Sequence, residues 1–300
     1  MNSEQLRLEY RPINLTNSAS TILQAFRNNV TSQMGEDGVI AKIFELIGTA
    51  NKQCVEFGAW DGKHFSNTWA LINDAGWSGV LIEGDKARYQ DLVAAYSNNV
   101  RVKPVNRYVG FGDDSIDHIL RQMECPPDVD LMSIDIDGMD WYIFESLQIY
   151  RPRLIVIEFN PTIPNDVVFV QAPNPRINQG CSLLALIELG KRKGYELAAT
   201  TAWNAFFVPS DLLPKIGVVD NSINAIHDCS AYETKLFQLF DGTIVIAGNT
   251  KLLWHGIQIH PWIIQPLPKR LRRFPPKHYP PNSLSARFRN RLARLVREYL

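Results

Sequence analysis

The chain has 300 residues, 45% of them hydrophobic and 21% charged, with 31 basic side chains balanced by 31 acidic ones. This is a globular composition, and it argues against collagen-like, low-complexity and charge-driven disordered chains. No run approaches the roughly 20 apolar residues that cross a bilayer, and no charged-then-apolar start reads as a secretion signal. The four cysteines, Cys54, Cys125, Cys181 and Cys229, stand far apart with no CxxC pair. That spacing argues against a zinc knuckle or a disulfide framework and reads as a reducing cytoplasm.

Residues 1–30 are polar and weakly periodic and read as a loose lead-in. From Gly38 to Ile47 the apolar positions Val39, Ile40, Ile43, Phe44 and Ile47 fall on one helix face. Short apolar runs then predict strands at Cys54–Phe57, Gly79–Ile82, Arg101–Val105, Asp130–Ile134 and Leu154–Phe159. Between them helical patterns fall at Phe65–Ala75, Ala87–Tyr96, Ser115–Met123 and Tyr142–Gln148. Strands alternating with helices at this spacing predict βαβ units and a parallel sheet, and strands this apolar predict helices on both its faces. The segment Asn160–Gly180, with four prolines and six Asn/Gln, predicts a lid or binding loop. A helix over Ser182–Lys193 and strands at Glu196–Thr200 and Asn204–Val208 complete an expected α/β, doubly wound, mostly parallel seven-stranded sheet.

Ligands of open parallel sheets bind beyond the carboxyl ends of the strands. After the first strand, Gly58 and Gly62 frame a tight turn, and Ser66 stands where it caps or lines the next helix. The spacing Gly58-x-x-x-Gly62 lacks the third glycine of the nicotinamide fingerprint. After the second strand comes Glu83-Gly84, and an acid there can accept from both ribose hydroxyls. Glycine turn and spaced acid together point to an adenosine-containing ligand. The fourth strand runs into Asp135-Ile136-Asp137-Gly138-Met139-Asp140 and the fifth into Glu158-Phe159-Asn160. Strand alternation places Asp135 and Asp137 on one side. Close carboxylates share a proton, bind a cation or face a positive ligand. The oxygen-rich set also suits magnesium, calcium or manganese, so a divalent metal stays open. His64 is the nearest imidazole.

The runs Glu56-Phe57-Gly58-Ala59-Trp60-Asp61-Gly62, Gly76-Trp77-Ser78-Gly79-Val80-Leu81-Ile82-Glu83 and Ser133-Ile134-Asp135-Ile136-Asp137-Gly138 resemble the class I S-adenosylmethionine-dependent methyltransferases, and within them the FkbM-like group. The resemblance covers about Ser32 to Phe207. It implies a Rossmann-like methyltransferase fold, S-adenosyl-L-methionine as cofactor, and methyl transfer to an oxygen of a small molecule or glycan. It implies that Glu56, Gly58 and Gly62 form the loop under the methionine end and that Glu83 holds the ribose, with Asp61, Ser66 and Gly84 as further cofactor-binding residues. Asp135 would stand beside the methionine amine and the acceptor, and Asp113 or Asp114 at the adenine amine. Gln33, Glu36 and Asp37 match a segment that precedes the first strand and closes over the cofactor. Asp135, Asp137, Glu158 and His64 are the groups available as a base. The FkbM-like pattern more often reads Asp-x-Glu-Gly after the fourth strand, where this chain has Asp-Ile-Asp-Gly.

Charge is uneven along the chain. From Lys269 to Leu300 ten Lys/Arg face a single acid, Glu298, so this segment carries +9 and the first 268 residues carry −9. A helix capped by Ser283 would align Leu284, Phe288, Leu292, Leu295 and Tyr299 in one stripe. Its expected contacts are the chain itself, a second copy, or peripherally an anionic membrane through 283–300. No motif supports specific nucleic-acid binding. The expected organisation is a lead-in over 1–31, the methyltransferase domain over 32–210, an extension packed on it over 211–268, and a basic Pro-rich linker and amphipathic helix over 269–300. A non-catalytic interaction protein on the same fold and a nicotinamide-dependent oxidoreductase are the competing functions.

Overall fold

The computed structural model describes residues 8–110, 112–239, 242–251 and 256–268, with Arg287, Phe288, Arg291 and Arg294. The basic linker and final helix expected over 269–300 lie outside the described residues except for those four, which are helical and exposed. The chain forms two compact units, 14–229 and 1–13 with 230–300.

Unit 14–229 opens with a 3-10 turn at Ile22–Phe26 and then alternates helix and strand. In chain order come α1 (Glu36–Ile47), β1 (Gln53–Phe57), α2 (Trp69–Asn73), β2 (Ser78–Glu83), α3 (Lys86–Ala95) and β3 (Val102–Asn106). The second half has α4 (Ile116–Gln122), β4 (Leu131–Ile134), α5 (Asp140–Ser146), β5 (Leu154–Glu158), α6 (Leu183–Arg192), β6 (Tyr195–Thr200), β7 (Asn204–Pro209), α7 (Leu213–Ile216) and α8 (Ile223–Ile226). One seven-stranded sheet results, in the order β3-β2-β1-β4-β5-β7-β6. β1 to β5 run parallel, and β7 pairs antiparallel with both β5 and β6. The chain winds outward from β1 to β3, then returns to β4 on the other side of β1. That reversal makes the crevice at the carboxyl ends of β1 and β4 the expected ligand position.

Side chains alternate across the strands and build two apolar layers. Val55, Phe57, Met132, Ile134, Ile155 and Ile157 pack under α4, α5 and α6 through Ile116, Leu120, Phe144 and Leu186. Cys54, Leu131, Leu154, Val156 and Phe206 pack under α1, α2, α3 and α7 through Ile40, Ile43, Ile72, Leu92 and Ile216. Each such fully buried side chain stabilises by about 1.5–3 kcal/mol. Every predicted strand is present, with ends moved by one residue or two.

The amino edge of the sheet is clamped by Asp130. Its carboxylate is fully buried and accepts the N–H groups of Ala50 (2.8 Å), Asn51 (2.9 Å) and Lys52 (2.7 Å), with Arg153 at 3.3 Å. A carboxylate so placed ties together the entrances to β1, β4 and β5.

Two differences from the sequence reading have local causes. The helix expected from Phe65 begins at Trp69, because Phe65 has φ +56° and the Ser66 hydroxyl accepts from the N–H groups of Thr68 and Trp69. The divisions fall at 13/14 and 229/230 instead of 31, 210 and 268. Buried Leu23 joins the lead-in to the sheet's core, and buried Ile216 and Ile226 hold α7 and α8 there.

The other unit contains an antiparallel hairpin, β8 (Thr234–Gln238) with β9 (Ile244–Gly248), and a short α9 (Pro261–Ile264). Every residue of β8 is exposed. Among the described residues no helix is long and apolar enough to cross a membrane.

Candidate functional site

β1 leaves the sheet through Gly58, at φ +65°. A Cβ there would lie well inside 3.0 Å of the Asp135 carbonyl oxygen, so only glycine lets the turn run against the end of β4. Trp60 follows at φ +49° and is 42% exposed, with its N–H on Glu83 Oε2 (2.8 Å) and the Arg88 guanidinium 4.3 Å from its ring centre. Two aromatic residues, Trp60 and Phe65, thus hold left-handed backbone, at a cost of about 1–3 kcal/mol each, and such outliers concentrate at functional sites. Asp61 accepts the N–H groups of Lys63 (2.9 Å) and His64 (2.7 Å). Against desolvation, which raises its pKa, those N–H groups hold Asp61 below its ordinary value. Gly62 faces α3: a Cβ would press on Tyr96 and Leu92, and its carbonyl accepts from the Tyr96 hydroxyl at 2.9 Å.

Glu56 and Ser66 are inside the loop, not on its surface. Buried Glu56 accepts from Ser66 Oγ, Thr68 Oγ1 and Asn67 N, each at 2.7 Å. Burial raises its pKa, and those three donors oppose the rise. Glu83, at the end of β2, is oriented by Trp60 N and Asp85 N (2.7 Å). Tyr108, 74% exposed, lays its ring over Gly84, where a Cβ would collide with it. Asp113 is exposed in a short turn, next to Asp114, which pairs with Arg107 at 3.4 Å. His64 is exposed, its ring 3.9 Å from Phe65 and 5.5 Å from Trp60, and stands outside the group formed by Asp135, Asp137 and Glu158.

Carboxylate oxygens of Asp135, Asp137 and Glu158 all lie within 4.8 Å of one another. Strand alternation is not the reason. β4 stops at Ile134, Asp137 turns back at φ +54°, and the buried Asp140 carboxylate accepts the N–H groups of Ile136 (3.0 Å) and Gly138 (2.9 Å). Asp140 therefore shapes the turn. Three charges at this separation would repel by roughly 3 kcal/mol per pair at an effective dielectric near 20. Carboxylates this close ionise together only at a cost, so the group favours holding a proton or a cation among them. Asp135 and Asp137 are exposed to solvent and Glu158 is half-buried. Desolvation by the surrounding chain, then the neighbouring acids, raises the pKa values of Asp135 and Glu158, and solvent screens the effect at Asp135. Burial raises that of Asp140, against the N–H groups of Ile136 and Gly138. The all-oxygen group is also the set of described residues that could hold a hard divalent cation.

Loop 160–181 covers the Asp137–Gly138 turn. A Cβ on Gly138 would come within 2.6 Å of the Ile177 carbonyl and 2.7 Å of Gln171 Oε1. Gln171 Oε1 accepts from Gln179 N (2.9 Å) and Gly180 N (2.8 Å), and the Tyr142 hydroxyl donates to the Gln171 carbonyl (2.8 Å). Asn160 Nδ2 donates to the Gln179 carbonyl (2.9 Å) and closes the loop's base. On the lead-in side Gln33 is exposed, while Asp37 accepts three N–H groups from residues 30–32 and Glu36 accepts from Thr201 Oγ1 (2.6 Å). Thr31 Oγ1 donates to the Ser66 carbonyl at 3.0 Å, linking the lead-in to the β1 turn. Two surface cavities, of about 540 and 210 Å³, are lined by none of the clustered carboxylates. Sequence reasoning passed over Tyr108, Arg88 and Gln171. An aromatic residue just past the third strand was the one signal for Tyr108, and nothing local marked the other two.

No family model matches the chain, and no curated protein matches it. Among solved structures it is similar to an O-methyltransferase from Bacillus cereus in complex with SAH, at 17% identity and TM-score 0.40, over 63% of this chain and 87% of that one. A SAM-dependent methyltransferase from Aquifex aeolicus matches at 10% identity and TM-score 0.36, over 63% of this chain and 96% of that one. The CcbJ methyltransferase from Streptomyces caelestis matches at 12% identity and TM-score 0.37, over 58% and 95%. Scores at this level carry no weight alone, and the fold assignment rests on the order and directions of the seven strands.

Proposed function

We propose that the chain is an S-adenosylmethionine-dependent methyltransferase of FkbM-like type that methylates an oxygen of a small molecule or glycan. The carrying observation is the meeting, beside the β1–β4 switch, of the Gly58 turn, the oriented Glu83 carboxylate and the Asp135, Asp137 and Glu158 carboxylates within 4.8 Å of one another. These residues fit the cofactor's chemistry: an excess of carboxylate charge suits a ligand carrying an ammonium and a sulfonium, and Glu83 suits a ribose diol. Glu83 would hold the ribose, Asp135 the amine, and the Gly58–Trp60 backbone the methionine end. When bound, the cofactor supplies an electrophilic methyl group.

The chain's own contribution is then positioning and proton transfer. Loop 160–181 and the Asp137–Gly138 turn hold the acceptor oxygen in line and keep water away, which supplies most of the acceleration in a displacement of this kind. The Asp135–Glu158 pair keeps one negative charge and a raised pKa, which makes it a stronger base than an ordinary carboxylate toward a hydroxyl. A divalent cation on Asp135, Asp137 and Glu158 is the other means of drawing off that proton. Activity that survives a chelator assigns the step to the pair.

Calorimetry with S-adenosylmethionine, its demethylated product and NAD tests the reading. Micromolar binding of the first two, lost in Glu83→Ala, is expected. Failure of both to bind, or binding of NAD in their place, refutes it. Binding without turnover over a broad acceptor panel would leave an interaction protein on this fold.

A further inference from the structure

Four large apolar side chains stand exposed close together in sequence in the unit formed by 1–13 and 230–300: Ile257 (53%), Trp262 (68%), Ile263 (56%) and Ile264 (45%). The last three are consecutive residues of α9, a single turn begun by Pro261, so one short rigid knuckle presents them. The His260 and Trp262 rings lie nearly parallel, with centroids 6.2 Å apart. Isolated surface apolar residues are ordinary, but three consecutive ones headed by tryptophan are not.

The chemistry of the surroundings selects the occupant. Residues 230–268 contain two acids, Glu233 and Asp241, and two bases, Lys235 and Lys251, so the knuckle sits on a neutral platform. Immediately after it the sequence turns to ten Lys/Arg with one acid. Among these, Arg287, Arg291 and Arg294 are described and exposed. A second copy of the chain would bring the same +9 segment against its twin, and like charges at an interface are unfavourable. An anionic lipid surface offers hydrocarbon for the knuckle and negative charge for the basic segment behind it. Tryptophan is the residue type that settles at such a boundary. One weak apolar anchor joined to a polybasic segment is the two-signal arrangement that gives stable peripheral binding.

We propose that α9, through Trp262, Ile263 and Ile264, inserts into the interface of an anionic bilayer, with the basic segment after residue 268 supplying the electrostatic attraction. This is independent of the methyl-transfer reading, since none of these residues belongs to the carboxylate site.

The test is co-sedimentation of the full chain with vesicles of phosphatidylcholine containing about 30% phosphatidylserine, against phosphatidylcholine alone. Binding to the anionic vesicles only, weakened at least about tenfold by Trp262→Ser with Ile263→Ser and Ile264→Ser, is expected. Arg287→Glu with Arg291→Glu and Arg294→Glu should weaken it further and flatten its salt dependence. Brominated lipids provide a reading that needs no disruptive variant: they should quench tryptophan fluorescence in the wild type and lose that quenching in Trp262→Phe. Sedimentation unchanged by the serine variant overturns the proposal, as does quenching that persists in Trp262→Phe. So does self-association, without lipid binding, that the serine variant abolishes.

Discussion

Replacing Gly58 by alanine adds a Cβ where the carbonyl oxygen of Asp135 already stands, in a backbone conformation that L-residues avoid. The left-handed conformation alone costs an alanine about 1–2 kcal/mol. Relieving the overlap adds to this, because the obstructing atom is backbone and no rotamer change removes it. The ends of β1 and β4 must separate, and forced overpacking of this sort costs about 1–3 kcal/mol. Together these give roughly 2–5 kcal/mol. In a domain of about 200 residues each kcal/mol moves the melting temperature by roughly 2–4 °C, so a fall of about 4–20 °C is expected. Gly217 is the control, since it has φ +85° and ψ +18° and a Cβ there would meet only Ile22 Cδ1, at an ordinary 3.9 Å. Gly217→Ala therefore carries the conformational cost alone, about 1–2 kcal/mol. The assay is urea unfolding of both variants beside the wild type, with unchanged m-values required for comparison. If Gly58→Ala loses no more stability than Gly217→Ala, the ends of β1 and β4 do not touch at Gly58, and the site built on that contact is wrong.

The carboxylate pair predicts a pH dependence. Asp135 is pushed up to about 7 in the folded chain, above an unfolded value near 3.9, so the folded state binds the extra proton. Its contribution to stability is complete below about pH 4 and is lost as the pH rises through about 7. Glu158→Gln removes one charge from the cluster. It should melt higher than the wild type at pH 8, by an amount that solvent screening of the exposed Asp135 and Asp137 keeps small, with the advantage gone at pH 4. A constant difference across that range in calorimetric scans would remove the pair from the explanation. Gln171→Ala leaves Gln179 N and Gly180 N without their acceptor. Limited proteolysis should then cut within 160–181 several-fold faster at little cost in melting temperature, and an unchanged cleavage rate would mean that Gln171 does not secure the loop.

What the sequence made legible was governed by local pattern. The strands of the sheet announce themselves because both faces are covered, so Val-Leu-Ile and Leu-Ile-Val-Ile are continuous apolar runs. Gly58, Glu83 and the acids after Ile134 could be singled out as candidates because they directly follow apolar runs that read as strands, and ligands of such sheets bind at strand ends. The contents of the site were less readable where tertiary contacts decide. Nothing near Ser66 in the sequence says that its hydroxyl will turn inward to Glu56. Asp135 and Asp137 do come together, but through a turn that Asp140 ties, and a run of three closely spaced acids does not tell which of them is the fastener. Arg88 reaches Trp60 from another helix, a proximity that only the folded sheet creates.

The Asp130 carboxylate has a mechanical consequence. With three amides and a guanidinium fastened to it, the amino margin of the central strands has no slack. The opposite margin bears left-handed aromatic residues and mutually repelling acids, and so stores tension. The consequence expected of this asymmetry is that any opening of the sheet is smallest at the fastened margin and largest at the crevice, which amide hydrogen exchange at Ala50–Lys52 against Ala59–Gly62 would show.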